Sequence, residues 1–205
     1  MRMDIPIPMQ LLEQMQWLPN ALTRSRILLS PAIVLCVVLD HTLLAASLFI
    51  LGGLTDVIDG PFARALGAVS ASSARLDSLA DAVFFSSALL ATTLATDLLA
   101  DPRVVLGIVC VGVLRGANLL VTRLRFATWD AMHTIGNKLA GLMVFGGMLQ
   151  VLLLGRAPRS LCLLLISVAL LSAVEESVLI LRSRSYDPNT PGLGGRVLRA
   201  VRHNA

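Results

Sequence analysis

Charge is scarce in this chain. Only 15% of its 205 residues are Asp, Glu, Lys or Arg, against about a quarter in an ordinary soluble domain, so a water-exposed globular domain is excluded. Aromatic residues are scarcer still, at 4%, with a single tyrosine. The basic excess (net charge +4, pI near 9.6) therefore lacks the interleaved aromatics of a nucleic-acid surface. Attraction to anionic lipid headgroups accounts for it better. Cys36, Cys110 and Cys162 stand far apart in apolar runs without a C-x-x-C pair, which argues for packing residues and against a disulfide or zinc framework. His41, His133 and His203 show no metal-ligand spacing. The first residues lack a basic segment followed by an apolar core, so no cleavable leader is expected.

What the chain has in abundance is apolar length. Hydrophobic residues make up 56% of it, with mean hydropathy +0.78. Apolar runs recur from end to end and predict six membrane-spanning helices, over 21–39, 42–58, 76–96, 104–122, 136–154 and 160–181. The breaks between them are short, so residues 19–182 read as one all-α integral-membrane bundle with no separate soluble domain. Ahead of it, Leu11, Leu12, Met15 and Leu18 recur at helical spacing among Gln10, Glu13, Gln14 and Gln16. Residues 1–18 are expected to form an amphipathic interfacial helix too short to span, with Trp17 at headgroup level. Residues 183–205, rich in Pro, Gly and Arg, read as a basic tail on the membrane surface. With a cytoplasmic N-terminus, thirteen of the 17 basic residues lie on inner segments; Arg103, Arg156 and Arg159 lie outside and Arg115 within a span. That satisfies the charge rule for membrane orientation and puts both termini in the cytoplasm.

Against this apolar background, residues 56–81 read DVIDGPFARALGAVSASSARLDSLAD. Carboxylates near hydrocarbon are costly enough to be functional candidates. Asp56 and Asp59 are three apart, Asp77 and Asp81 four apart, so each pair shares one face of a helix. Four such groups at one membrane boundary repel each other unless cations intervene. Hard oxygen donors suit two divalent cations, Mg²⁺ or Mn²⁺, and a paired metal centre beside Arg64 suits transfer of a phosphate-bearing group. Pro61 is expected to kink the helix locally.

The segment resembles the signature of the CDP-alcohol phosphatidyltransferases. Asp56, Asp59, Gly60, Ala63, Arg64, Asp77 and Asp81 fall on that pattern in register, and Ser73 stands where the family has a second glycine. The resemblance implies a membrane enzyme that joins an alcohol to a phosphatidyl group while CMP leaves. It assigns Asp56, Asp59, Asp77 and Asp81 to metal, Asp81 also to the catalytic base, Gly60 and Ala63 to the space for cytidine, and Arg64 to phosphate. Ser73 narrows the donor pocket at most slightly. The opening Pro19-Asn20-Ala21-Leu22-Thr23-Arg24-Ser25-Arg26 is similar to the bacterial phosphatidylglycerophosphate synthase branch, which implies that Thr23 and Arg26 face the nucleotide. Interfacial snorkelling of the two arginines and an Asn20 helix cap are the plainer reading. The implied donor is CDP-diacylglycerol and the preferred acceptor glycerol 3-phosphate, at the cytoplasmic face of a bacterial inner membrane. Inositol phosphate, serine or another alcohol stays open as acceptor, and the reading admits a homodimer.

Arg115 lies at a depth compatible with Glu175 and Glu176, so an intramembrane ion pair is expected. Lys138 follows Gly136-Asn137 at the start of the fifth span. Arg115, Arg123, Arg125 and Lys138 are candidates for an acceptor phosphate; a helix-joining ion pair for Arg115 and snorkelling for Lys138 are equal alternatives, and any cytoplasmic loop would carry such residues under the charge rule. A transporter lined by these charges, or a silent scaffold marked by Ser73, are readings of other classes. The one-sided aspartate cluster and the absence of a visible inverted repeat argue against transport.

Overall fold

In the computed structural model, residues 17–65, 71–128 and 134–183 are described, without the side chains at 18–19, 59–65 and 71–75. The expected interfacial helix over 1–18 and the tail over 183–205 fall almost wholly outside the described residues. Those residues form six α-helices and no strand: α1 Leu18–Val38, α2 Thr42–Ala65, α3 Ala71–Leu94, α4 Pro102–Phe126, α5 Ile135–Leu154 and α6 Arg159–Arg182, with a short 3₁₀ turn Leu98–Ala100 before α4. Four are long and apolar enough to cross a membrane: Asn20–Val38, Pro102–Phe126, Ile135–Leu154 and Arg159–Arg182. In α2 the apolar part is the shorter Thr42–Ile58, because the helix then enters its acidic segment. α3 begins with that segment's other half. The all-helical class follows the sequence reading, and the four apolar helices mark a membrane protein.

The chain divides into two compact units, Met1–Ala91 and Thr92–Ala205. In the first, α1 starts earlier than expected. Trp17 occupies the cap position without a side-chain cap and a proline sits in the first turn, so Asn20 lies inside the helix and does not cap it. Proline has no N–H to leave unsatisfied there, which is why the earlier start is tolerated. α1 and α2 form a hairpin closed by Asp40 at φ 60°. The Asp40 N–H donates to Val37 O (3.0 Å) and the His41 N–H to Cys36 O (2.7 Å). That is the hydrogen-bond pattern with which helices often end in a left-handed residue, here aspartate where glycine is commoner. α2 stays helical through Pro61 to Ala65, so the proline does not end it.

Helical periodicity then decides what each helix of this unit buries. On α1 the buried stripe is Thr23, Arg26, Ser30, Ile33 and Val37, polar toward the start and apolar toward the hairpin. On α2 it is Ala45, Phe49 and Gly52, continuing at the same spacing to Asp56. On α3, Asp77 and Asp81 are followed by buried Phe84 and Ala88. Phe84 stacks on Phe49 with ring centroids 5.1 Å apart. Gly52 lets α2 approach that ring: a Cβ there would lie 2.3 Å from Phe84 Cε2.

In the second unit α6 packs against both α4 and α5. Small residues admit the close approach, as expected within a membrane. A Cβ at Gly147 would lie 2.2 Å from Leu165 Cδ1, and one at Gly107 2.7 Å from Ile166 Cγ2. Leu179 and Ile180 pack with Val121 and Phe126. Asp101 caps α4 by accepting from the Arg103 N–H at 2.9 Å, and Thr134 caps α5 by accepting from the Asn137 N–H at 3.0 Å. Arg125 closes the end of α6, donating to Ile180 O at 2.6 Å and Leu181 O at 3.0 Å.

Candidate metal and phosphate site

Three helices meet in the first unit. Arg26 comes from the first half of α1, Asp56 from the second half of α2, and Asp77 and Asp81 from the first half of α3. The three stripes just described are apolar away from this point and polar at it, so packing alone brings the charged groups together. One carboxylate oxygen from each of Asp56, Asp77 and Asp81 lies within 4.8 Å of the others. Two unit negative charges at that separation repel by about 3 kcal/mol at an effective permittivity near 20, an upper figure for groups this exposed to solvent.

Arg26 meets that repulsion. Its Nη1 donates to Asp56 Oδ1 and to Asp81 Oδ1, and its Nη2 donates to Asp77 Oδ1 at 2.8 Å. The arginine side chain is fully buried, while the three aspartates keep 42–46% of theirs exposed. A snorkelling arginine keeps its head in water, so the interfacial reading of Arg26 does not describe this conformation. Thr23, one turn earlier on the same stripe, is buried too.

The carboxylates fit a divalent cation by the chemistry of their donors. They are hard oxygens, and among the described side chains three of them are gathered around one guanidinium. The backbone of α2 carries Asp59, Gly60, Ala63 and Arg64, and that of α3 carries Ser73. Their side chains lie outside the described residues.

A second polar cluster occupies the other unit. Arg115 and Glu176 form a loose ion pair at 3.8 Å, with Glu176 almost buried. Around it, Arg115 Nη2 lies 3.5 Å from Ser172 Oγ, which in turn donates to Asn137 Oδ1. Asn118 Nδ2 donates to Ala173 O at 2.8 Å, and Asn118 Oδ1 accepts from Ser177 Oγ at 2.7 Å. Glu175 lies against the first turn of α5, where a Cβ on Gly136 would be 2.1 Å from its Oε2. A carboxylate is favoured at that positive helix end. Lys138 is exposed and is not part of this cluster. Sequence reading missed Asn118, Asn137, Ser172 and Ser177. The available signal was spacing: 115, 118 and 122 on α4, and 172 and 176 on α6, each place polar residues on one face.

Three aspartates from two helices, gathered on an arginine of a third in an apolar helical chain, mark a narrow class of membrane proteins. The chain belongs to the CDP-alcohol phosphatidyltransferase family, whose pattern matches residues 16–183. Over 76 residues it is 42% identical to a Schizosaccharomyces pombe protein named cardiolipin synthase (CMP-forming) / mitochondrial hydrolase fusion protein. The matched stretch is 37% of this chain and 13% of that protein. No solved structure matches.

Proposed function

We propose that this chain is a phospholipid-synthesising transferase that moves a phosphatidyl group from CDP-diacylglycerol to an alcohol, glycerol 3-phosphate, releasing CMP. The observation that carries this reading is the convergence of Asp56, Asp77 and Asp81 on buried Arg26, at positions that fall on the family's motif. Asp56, Asp59, Asp77 and Asp81 would hold two divalent cations, Mg²⁺ or Mn²⁺, whose charge would offset that of the CDP diphosphate and of the leaving CMP. Gly60 and Ala63 leave room for cytidine, Arg64 and Thr23 contact the nucleotide, and Ser73 borders it. As the acceptor oxygen bonds to phosphorus, its proton passes to the Asp81 carboxylate and the bond from phosphorus to the CMP oxygen breaks.

In this reading the six helices all span, residues 19–182 form the catalytic bundle, and residues 1–18 and 183–205 lie on the cytoplasmic surface of a bacterial inner membrane. Arg115 and Lys138 serve the acceptor's phosphate. A second reading keeps the chemistry and replaces the acceptor by a lipid alcohol; the cardiolipin synthase (CMP-forming) relative favours it. CMP release from CDP-diacylglycerol by the protein in vesicles, with glycerol 3-phosphate, inositol phosphate, serine or phosphatidylglycerol supplied in turn, tests both readings. Release that depends on one acceptor names the substrate. Absence of release with all of them, in folded protein supplied with Mg²⁺ or Mn²⁺, overturns the proposal.

A further inference from the structure

Arg26 has no exposed surface, and the carboxylates it touches face outward with nearly half of theirs. Ligands therefore reach this cluster from the aspartate side, with the cation behind. Each of these three described contacts is made to an Oδ1 atom: Nη1 bridges Asp56 and Asp81 while Nη2 holds Asp77. Those same three carboxylates are the candidate ligand set. An ion drawing on the inward oxygens needs space that the guanidinium nitrogens fill, and its two charges repel a guanidinium left in place.

Resting on the metal-dependent reading above, we infer that Arg26 is a built-in competitor for the divalent cation, and that the diphosphate of the nucleotide donor relieves the competition. In metal-free protein the arginine keeps the carboxylates gathered. When metal is bound, it has to swing off their inward oxygens. A buried guanidinium that gives up these three contacts gains from a new anion, since weakening the pairing of a buried charge is unfavourable. A diphosphate suits the planar fork of arginine, which grips phosphate through two parallel donors. Metal and nucleoside diphosphate should therefore bind synergistically, with Arg26 passing from carboxylate to phosphate. An arginine that served only to join three helices would give no such coupling.

The test titrates Mn²⁺ against detergent-solubilised full-length protein, reading free Mn²⁺ by electron paramagnetic resonance, with and without CDP. Wild type should bind Mn²⁺ at least about tenfold more tightly when CDP is present, a coupling of ordinary allosteric size. Arg26→Gln should bind Mn²⁺ alone at least about tenfold more tightly than wild type, and CDP should then add less than about threefold. Arg24→Gln removes the same charge from an exposed position two residues earlier and should leave both affinities within about twofold. Wild type also gives a readout that needs no variant, phenylglyoxal labelling of Arg26 mapped by mass spectrometry. Mg²⁺ alone should raise the labelling and CDP with Mg²⁺ should lower it again. Equal or weaker Mn²⁺ binding by folded Arg26→Gln, or labelling indifferent to Mg²⁺, overturns this inference alone. Absence of Mn²⁺ binding in every form overturns it together with the metal-dependent reading.

Discussion

Gly52→Ala probes how packing sets the acidic site. The added Cβ would lie 2.3 Å from Cε2 and 2.7 Å from Cζ of Phe84. That ring cannot simply retreat, because it stacks on Phe49 at 16° and meets Phe85 edge-on at 5.9 Å. Gly52 lies one turn before Asp56, and Phe84 one turn after Asp81, so this contact fixes how far apart the two carboxylates stand. Overpacking of this kind costs about 1–3 kcal/mol, and so short a contact belongs at the upper end. Alanine returns about 1 kcal/mol in helix propensity. The net loss is about 2 kcal/mol, a fall of roughly 4–8 °C in Tm for a chain of this size. Thermal unfolding in detergent, followed by tryptophan fluorescence, measures it. Gly112→Ala is the matched control, since a Cβ at Gly112 meets nothing within 4 Å; its Tm should hold or rise. Gly52→Ala combined with Phe84→Leu should show a coupling of at least about 1 kcal/mol, and CMP release should fall in Gly52→Ala at temperatures where it remains folded. A Gly52→Ala protein that melts at or above wild type, or a double variant that is simply additive, refutes the reasoning.

The other predictions concern chemistry. Chelation should abolish CMP release, and Mg²⁺ or Mn²⁺ should restore it; Asp81→Asn should retain donor binding while losing turnover, whereas Asp59→Asn should lose metal affinity, both read by binding and initial-rate assays. Ser73→Gly returns the family residue and should match or exceed wild-type turnover, so a severe loss in folded protein would mean the hydroxyl has a role of its own. Arg115→Ala and Lys138→Ala should each raise the acceptor KM by about tenfold to a hundredfold with donor binding spared, the worth of one charge-assisted hydrogen bond. Arg115→Ala must first pass a melting control because it removes the ion pair to nearly buried Glu176; unchanged acceptor KM in both variants would favour an uncharged acceptor.

The helices were legible because apolar length and period are written into each of them, and five of the six expected spans begin within a few residues of where helices lie. Asn20 misled because capping propensity is a local rule, and a proline in the first turn allowed the helix to start before it. The carboxylates were legible because charge inside an apolar chain stands out wherever it occurs. Arg26 was harder. From sequence it is one of two arginines at a membrane entrance, and Arg24 is indeed exposed. Only the period of the buried stripe, Thr23, Arg26, Ser30 and Ile33, separates it from its neighbour. The hydroxyl and amide groups of the Arg115 cluster were missed for another reason. Asn118, Ser172 and Ser177 carry no charge, so their presence in a helix says little until packing shows what they face.

The two polar clusters also differ in a way that separates site from scaffold. A cluster that only joins helices gains by satisfying its own groups, because each unsatisfied buried polar atom is unfavourable. The second unit follows that rule: Arg115 balances Glu176, and Asn118, Ser177, Asn137 and Ser172 donate to and accept from one another or the backbone. Glu175, the cluster's remaining described charge, sits at the positive end of α5. Around Arg26, among the described side chains, three half-exposed carboxylates instead face one guanidinium. Had helix joining been the sole requirement, one aspartate would have sufficed and two fewer charges would repel. An excess of accessible negative charge is useful only to a group that brings positive charge with it. Arg115 is the member of the second cluster that departs from saturation, with 39% of its side chain still exposed. If the proposed acceptor phosphate binds in this unit, that residual exposure favours Arg115 over the amides beside it, whose hydrogen bonds are already made.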